Sequence, residues 1–259
     1  MSTINHDAAV SFKSAVRRGD RLHGFFIGQN SPTLVEMVGY AGFDFVIIDQ
    51  EHGPIDMSSA ETLIRAGDAA GIPALVRISS ASARDILPVL DMGAAGIIVP
   101  HVINAETARN IVAQAYYPPL GKRGVSSLTR AARHGLTSSK DYLSMAVDRV
   151  TVIAMIEDAE AIKHTREIAA TPGIDALFVG PTDLSASLGV TGQRENPVLL
   201  GAITQIVNEA RPFGTTLATT AQTAPESVNL YAQGFSMICH STTSLMARSL
   251  KALRQETRQ

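Results

Sequence analysis

Short apolar runs alternate with amphipathic stretches along almost the whole chain. The run Phe45-Val-Ile-Ile48 is apolar at four consecutive positions, which is typical of a strand buried on both faces of a parallel sheet. Similar runs predict strands at 23–28, 44–49, 74–78, 95–100, 151–157, 175–180, 215–219 and 235–239.

The segments between these runs carry the spacing of amphipathic helices. Helices are predicted at 8–19, from 31 onward, and at 58–70, 83–93, 104–114, 159–169, 197–210 and 244–253, while 116–138 reads as a long loop. The first helix precedes the first strand, so it is expected to form a lid under the sheet. Strands that alternate with helices in this number predict an α/β fold, a single (β/α)8 TIM barrel over residues 1–259.

Composition removes several classes of function. Apolar residues make up 45% of the 259 residues and the net charge is −2 with scattered Lys and Arg, which argues against nucleic-acid binding. Cys239 is the only cysteine, so an intrachain disulfide and a cysteine-built zinc site are excluded, and a cytoplasmic location is expected. No run reaches the roughly 18 apolar residues of a membrane span, and no dinucleotide or P-loop glycine motif is present.

Polar residues gather where the second predicted strand ends. Asp49 and His52 are three positions apart and are followed by Gly53-Pro54. Across such a turn the carboxylate of Asp49 can orient the His52 imidazole and stabilise its protonated form, which predicts an acid/base pair. The alternative is structural: His52 would be a helix N-cap and Asp49 a turn-forming acid.

Two further polar residues lie in or after apolar runs. Arg77 is a permanent cation inside the third strand, and its burial requires an anion, either a ligand or an acid on a neighbouring strand. His101 directly follows the fourth strand. At that position a histidine is more often a capping or structural group than a functional one.

Glu157 and Asp183 end or follow consecutive strands, the fifth and the sixth. Because neighbouring parallel strands lie about 4.8 Å apart, these carboxylates can share one ion, and two oxygen ligands suit Mg²⁺ or Mn²⁺. Gly180, Pro181 and Thr182 open the next helix, whose free N–H groups can hold a substrate carboxylate. The alternative is that both acids are N-caps.

Together these motifs resemble the HpcH/HpaI aldolase family, the metal-dependent class II pyruvate aldolases, over nearly the whole chain. The matching segments are 42–54, Val76-Arg77, Asn104-Ala-Glu106, 117–124, Ile156-Glu157 and 180–185. The resemblance implies a metal on Glu157 and Asp183 (Mg²⁺ or Mn²⁺, with Co²⁺ as an alternative), an Asp49–His52 acid/base pair, and Arg77 at the enolate oxygen. It also implies a homo-oligomer, a hexamer built as a trimer of dimers with exchanged barrel-end helices.

The expected reaction is reversible cleavage of a 4-hydroxy-2-oxo acid to pyruvate and an aldehyde, with both as small-molecule partners. The same site could decarboxylate oxaloacetate or act on an acyl thioester, and a barrel that only binds oxo acids is a third hypothesis. One position departs from the family pattern: Met155 stands where relatives often carry Gln, two residues before Glu157. The polar contacts of the site at that position are therefore in question.

Overall fold

Eight parallel strands close into a barrel in the computed structural model, which describes residues 6–257. Each strand pairs with the next along the chain, and β8 pairs with β1. The predicted (β/α)8 barrel is therefore confirmed. The strands are β1 Leu22–Ile27, β2 Phe45–Asp49, β3 Ala74–Arg77, β4 Gly96–Val99, β5 Thr151–Ile156, β6 Ala176–Val179, β7 Thr216–Thr220 and β8 Met237–Ser241.

The helices surround this barrel. They are α1 His6–Arg18, α2 Pro32–Tyr40, α3 Met57–Ala70, α4 Ala83–Asp91, α5 Ala105–Ala115, α6 Ser139–Arg149, α7 Ala159–Ile162, α8 Thr165–Ala169, α9 Pro181–Ser187, α10 Pro197–Ala210, α11 Ala224–Ala232 and α12 Thr242–Glu256. Several begin at a side chain that accepts the N–H three residues later, as Ser31, Asp56 and Asn104 do.

Two helices were not predicted, and one predicted helix is divided. In α6 the buried residues are Tyr142 and Ala146, and in α11 the buried residue is Ser227. Such weak apolar stripes do not stand out in a sequence. The predicted helix 159–169 forms two short helices, α7 and α8, separated at Lys163 and His164.

Apolar side chains form one core inside the barrel and another between the strands and the helices. Met155, Phe178 and Met237 belong to the inner core. The lid helix α1 adds Phe12 and Val16 to the same core at the N-terminal end, so its expected position is confirmed. The catalytic end of such a barrel is the opposite one, where the strands end.

The last helix, α12, packs differently from the others. Its one buried residue is Thr242, whereas Leu245, Met246, Leu250 and Leu253 are 45–65% exposed. Within residues 6–257, none of the helices has both the length and the apolar character that crossing a membrane requires.

Candidate active site at the C-terminal end of the barrel

The predicted site residues lie at one end of the barrel, because all strands run in the same direction. Asp49 and Arg77 are the last residues of β2 and β3, and they are register partners. Glu157 directly follows β5, and Asp183 lies in the first turn of α9 after β6. The fold thus brings four separate segments of sequence to one rim.

Arg77 is fixed by a carboxylate of the neighbouring strand. Its Nε and Nη2 donate to the two oxygens of Asp49 at 2.9 and 2.7 Å, and its Nη1 lies 3.1 Å from Glu51 Oε2. Its guanidinium also lies 4.9 Å from the ring centre of Phe26. Burial opposes the charge, but the hydrogen bond and charge of Asp49, followed by the charges of Glu51 and Glu157, raise the pKa of Arg77. The hypothesis of a neighbouring acid is confirmed.

Asp49 contacts His52 through the backbone rather than the imidazole. Its Oδ1 accepts the N–H groups of Glu51 and His52, each at 3.2 Å, and among residues 6–257 no hydrogen bond joins this carboxylate to the His52 ring. Both carboxylate oxygens already serve Arg77, which explains the difference from the expected contact. The imidazole is exposed, and Asp56 caps α3, so the N-cap alternative for His52 is wrong.

The turn itself requires a glycine. A Cβ on Gly53 would lie 2.3 Å from the carbonyl oxygen of Asp49, closer than any side chain allows. The sharp return of the chain at Gly53 holds His52 at the rim of the barrel. The His52 residue is exposed at this position.

Glu157 is the most deeply buried acid of this end, with 1% of its surface exposed. Its Oε1 accepts the backbone N–H of His101 at 2.9 Å, whereas Oε2 has no hydrogen-bond partner within residues 6–257. Burial raises the pKa of Glu157, and the charges of Glu51 and Asp183 raise it further, while the N–H and charge of His101 lower it. A buried carboxylate oxygen without a partner is costly unless a cation or a ligand meets it.

Backbone approaches Glu157 from β6. A Cβ on Gly180 would lie 2.7 Å from Glu157 Oε2 and 3.4 Å from Met155 Cε. Glycine at this position therefore makes room for the carboxylate, and Met155 forms an apolar floor next to it. Gly180 is the N-cap of α9 and Asp158 that of α7. The hypothesis that Glu157 and Asp183 are themselves N-caps is wrong.

The sequence indicates no functional role for three members of this cluster: Glu51 and Asp158 are not singled out, and His101 is interpreted as a capping or structural group. His101 Nδ1 lies 3.1 Å from Asp158 Oδ2 and 3.6 Å from Glu157 Oε1, and its Nε2 lies 3.8 Å from Glu51 Oε1. Asn104 caps α5, so the expectation that His101 is a capping group is wrong. The available signal was position, because each residue directly follows a strand or lies within two residues of its end.

His101 is held in an uncommon backbone conformation, with φ at 53°. A left-handed conformation is tolerated by Asn, Asp and His more readily than by other side chains, and it costs about 1 kcal/mol or more. It turns the backbone N–H of His101 toward Glu157. Burial opposes a charge on the ring, but the hydrogen bond to Asp158 and the charges of Glu157, Asp158 and Glu51 raise the pKa of His101.

Comparison with known proteins shows the family of this chain. The model of the HpcH/HpaI aldolase/citrate lyase family matches residues 22–245. The chain belongs to this family. It is 34% identical over 233 residues to the 2-dehydro-3,6-dideoxy-6-sulfogluconate aldolase of Pseudomonas putida, covering 89% of this chain and 90% of that one. It is 33% identical to the hydroxypyruvate/pyruvate aldolase of Paraburkholderia phytofirmans, covering 95% and 96% of the two chains.

Solved structures carry the same fold in this family. The chain superposes on citrate synthase SbnG with a TM-score of 0.86 and 33% identity, covering 96% of this chain and 98% of that one. Proteins similar to this chain therefore carry names that give different reactions.

The residues of the HpcH/HpaI site in this chain fit a divalent cation. The carboxylates of Glu51, Glu157 and Asp158 all lie near the His101 ring, and Asp183 acts on Glu157 through its charge, whereas the Arg77 charge is already paired with Asp49. Ligand atoms of Glu51, His101 and Glu157 lie within 4.8 Å of one another. Oxygen-rich donor sets of this kind suit Mg²⁺ and Mn²⁺, and the free Oε2 of Glu157 is the observation that most directly calls for a cation.

Proposed function

We propose that this protein is a class II pyruvate aldolase that reversibly cleaves a 4-hydroxy-2-oxo acid to pyruvate and an aldehyde. The observation that carries the proposal is the buried, unpartnered oxygen of Glu157, beside the fixed cation Arg77 at the catalytic end of the barrel. Relatives named as aldolases of oxo-acid substrates support the same reaction class.

Glu157 and Asp183 are the proposed protein ligands of Mg²⁺ or Mn²⁺, with Co²⁺ as an alternative. A divalent cation held there would supply Lewis acidity, which polarises the keto group and makes the methyl protons of pyruvate removable. Asp183 lies in the first turn of α9, and its charge acts on Glu157. Asp183 is not one of the three residues whose ligand atoms lie within 4.8 Å of one another, Glu51, His101 and Glu157, so its ligation of the cation remains part of the proposal.

Arg77 is the proposed partner of the enolate oxygen. Asp49 fixes the plane of its guanidinium through two hydrogen bonds, and Glu51 contacts the remaining nitrogen. A donor fixed before the reaction stabilises developing negative charge without reorganisation, an effect of roughly 3–4 kcal/mol per donor. In this account Asp49 acts through Arg77, and it holds His52 only through the backbone N–H of that residue.

His52 is the proposed base that removes the methyl proton, directly or through a water molecule. Its imidazole is exposed at the rim, and its backbone is tied to Asp49. We place the substrate carboxylate at the start of α9, where Gly180 caps the helix, Pro181 has no N–H, and Thr182 is the first residue that can donate. His52→Ala should slow turnover by about 10²–10⁴ and leave pyruvate binding intact.

A second candidate is supported by the likeness to citrate synthase SbnG. Chemistry at a carboxylate-flanked enolate site could also decarboxylate oxaloacetate or act on an acyl thioester. The discriminating experiment incubates the protein with Mg²⁺ or Mn²⁺, pyruvate and a panel of aldehydes, and quantifies 4-hydroxy-2-oxo acids by mass spectrometry. We expect product with the metal and none in excess EDTA.

Undiminished product in EDTA would contradict the metal role, and no product with any aldehyde would favour the second candidate. Borohydride reduction with pyruvate is the control for Schiff-base chemistry. It should leave the protein mass unchanged, because Lys13, Lys122, Lys140, Lys163 and Lys251 lie on helices or loops rather than at strand ends.

The protein is also proposed to assemble as a homo-oligomer, a hexamer built as a trimer of dimers with exchanged α12 helices. The exposed apolar residues of α12 support this, since a single chain leaves them in water. Light scattering of Leu250→Glu should show a smaller assembly, and the matched Leu250→Met variant should keep the native mass. A monomeric wild type would contradict the assembly.

A further inference from the structure

His101 lies within reach of the same space as the unpartnered oxygen of Glu157. Its ring is 58% exposed, yet both ring nitrogens are near carboxylates: Nδ1 faces Asp158 and Nε2 faces Glu51. The backbone N–H of the same residue donates a hydrogen bond to Glu157 Oε1. His101 thus connects the ends of β2, β4 and β5 from a single position.

The contact with Asp158 decides which nitrogen is free. At 3.1 Å, Nδ1–H can donate to Asp158 Oδ2, which leaves the lone pair of Nε2 facing Glu51 Oε1 at 3.8 Å. A histidine that ligates a metal usually donates its other ring N–H to a carboxylate or carbonyl in this manner. The donated hydrogen bond selects the tautomer whose lone pair points away from Asp158.

Distances within the cluster agree with shared ligation. Two ligands at about 2.1 Å from one ion are roughly 3.0 Å apart when adjacent and about 4.2 Å apart when opposite. The Nε2–Oε1 distance of 3.8 Å lies between these two values, so a small rotation of the exposed His101 ring would bring both atoms to positions on one ion. Glu51 binds Arg77 through its other oxygen, Oε2, so Oε1 remains available.

The buried Oε2 of Glu157 is the independent observation that a ligand belongs here, since it has no partner within residues 6–257. We propose that His101 Nε2 is a nitrogen ligand of the divalent cation bound by Glu157, with Glu51 Oε1 as its neighbour. This inference rests on the metal site of the proposed function. It adds a ligand class to that site, because an imidazole favours Mn²⁺ and especially Co²⁺ over Mg²⁺.

The uncommon backbone conformation of His101 is consistent with this role. With φ at 53°, it places the backbone N–H and the ring on the same cluster of carboxylates. Strained conformations that the surroundings maintain are concentrated at functional sites. The backbone conformation also makes His101→Asn the most suitable variant, because Asn tolerates this conformation and lacks the imidazole nitrogen.

The test is electron spin echo envelope modulation on the full protein loaded with Mn²⁺, which detects ¹⁴N bound directly to the ion. The wild type should show this coupling. His101→Asn should still bind Mn²⁺, with an affinity at least tenfold lower, but should show no ¹⁴N coupling. His52→Gln is the matched control, since His52 lies at the same rim on an adjacent segment. It should retain the coupling.

The two proposals fail in different ways. A wild type that binds no Mn²⁺ would overturn the metal site of the proposed function itself. A wild type that binds Mn²⁺ without ¹⁴N coupling, or a coupling lost in His52→Gln but kept in His101→Asn, would overturn the His101 assignment alone. As a second readout, His101→Asn should weaken Co²⁺ binding by a larger factor than Mg²⁺ binding, and equal losses would count against a nitrogen ligand.

Discussion

Two buried carboxylates at opposite ends of the barrel have opposite surroundings. Asp175 precedes β6 at the N-terminal end, where Arg17 Nε, the Val152 N–H and the Tyr116 hydroxyl donate to it at 2.9, 2.9 and 3.3 Å. Lys13 Nζ lies 3.3 Å away. Glu157 follows β5 at the other end, and one of its oxygens has no partner among residues 6–257.

This difference indicates that Asp175 contributes to stability and Glu157 to function. Every oxygen of Asp175 has a cation or a donor, so this network closes the lid helix α1 onto the barrel and leaves neither oxygen of Asp175 without a partner. Glu157 instead adds a carboxylate with one unpartnered oxygen to a set of acids that raise its pKa, Glu51 and Asp183. A fold tolerates such a site when a ligand completes it.

The largest effect is expected from Glu157→Gln. Turnover should fall by at least about 10³, roughly 4 kcal/mol, because the amide is a poor cation ligand. The free energy of unfolding should stay level or rise, because a buried charge is removed. Steady-state kinetics and urea unfolding measure the two quantities, and turnover within tenfold of the wild type would contradict the ligand assignment.

Asp175→Asn should lower the free energy of unfolding and leave turnover unchanged, the reverse of the effect of Glu157→Gln. Loss of the carboxylate leaves Lys13 buried without its counter-ion, which costs about 3–5 kcal/mol in comparable pairs. Burial already lowers the pKa of Lys13 to about 8. Lys13 can therefore lose its proton in the variant, which should keep the loss of unfolding free energy near the lower end of this range. The change is measured by urea unfolding, with turnover of the folded fraction unchanged.

The double variant Lys13→Met with Asp175→Asn is the control for this pair. It should be less destabilised than the sum of the two single variants, since neither charge then remains unpaired. Strict additivity would show that the two residues do not interact.

Addition of the metal is expected to raise the free energy of unfolding by less than the free-energy changes expected from Glu157→Gln in turnover and from Asp175→Asn in unfolding. Mn²⁺ at a hundredfold excess over its Kd should stabilise the wild type by about 2.7 kcal/mol, provided that it binds only the folded state. Asp175→Asn should gain the same increment and Glu157→Gln none. Thermal unfolding at increasing Mn²⁺ measures this, and equal gains in all three proteins would place the ion elsewhere.

The smallest effect is expected from Met155→Gln. Met155 packs in the inner core below Glu157, and a single neutral hydrogen bond contributes only about 1 kcal/mol. Pyruvate KM and kcat should therefore change by less than about tenfold, with metal binding intact. Loss of metal binding would show that Met155 supports the carboxylate more directly than its position indicates.

The sequence predicts the barrel well because buried parallel strands leave continuous apolar runs. It also locates Asp49 and Glu157 at strand ends and Arg77 within the third strand, whereas in the structure Arg77 is the last residue of β3. It does not identify which acid pairs with which group, since Asp49 lies at the start of the turn that carries His52 but pairs with Arg77 on the next strand. Spacing along the chain favoured the near contact, and the register of β2 and β3 determined the real one.

His101 shows what spacing alone leaves out. A histidine after a strand has a common structural explanation, and only the three-dimensional distances to Glu51, Glu157 and Asp158 give it a different one. The same holds for Asp175 and Lys13, which are 162 positions apart in sequence and meet because α1 closes the barrel. Contacts between distant segments depend on the closure of the whole sheet.

The most direct test of the central claim is exchange of the pyruvate methyl protons in D₂O. The reaction is run first, the metal is then removed from the sample, and the remaining methyl protons are measured by NMR. Wild type and Asp175→Asn should exchange these protons when loaded with Mg²⁺ or Mn²⁺, while chelated wild type and Glu157→Gln should not. Exchange at the wild-type rate in Glu157→Gln or in excess chelator, or none in the loaded wild type, would contradict a metal-dependent enolate site at Glu157.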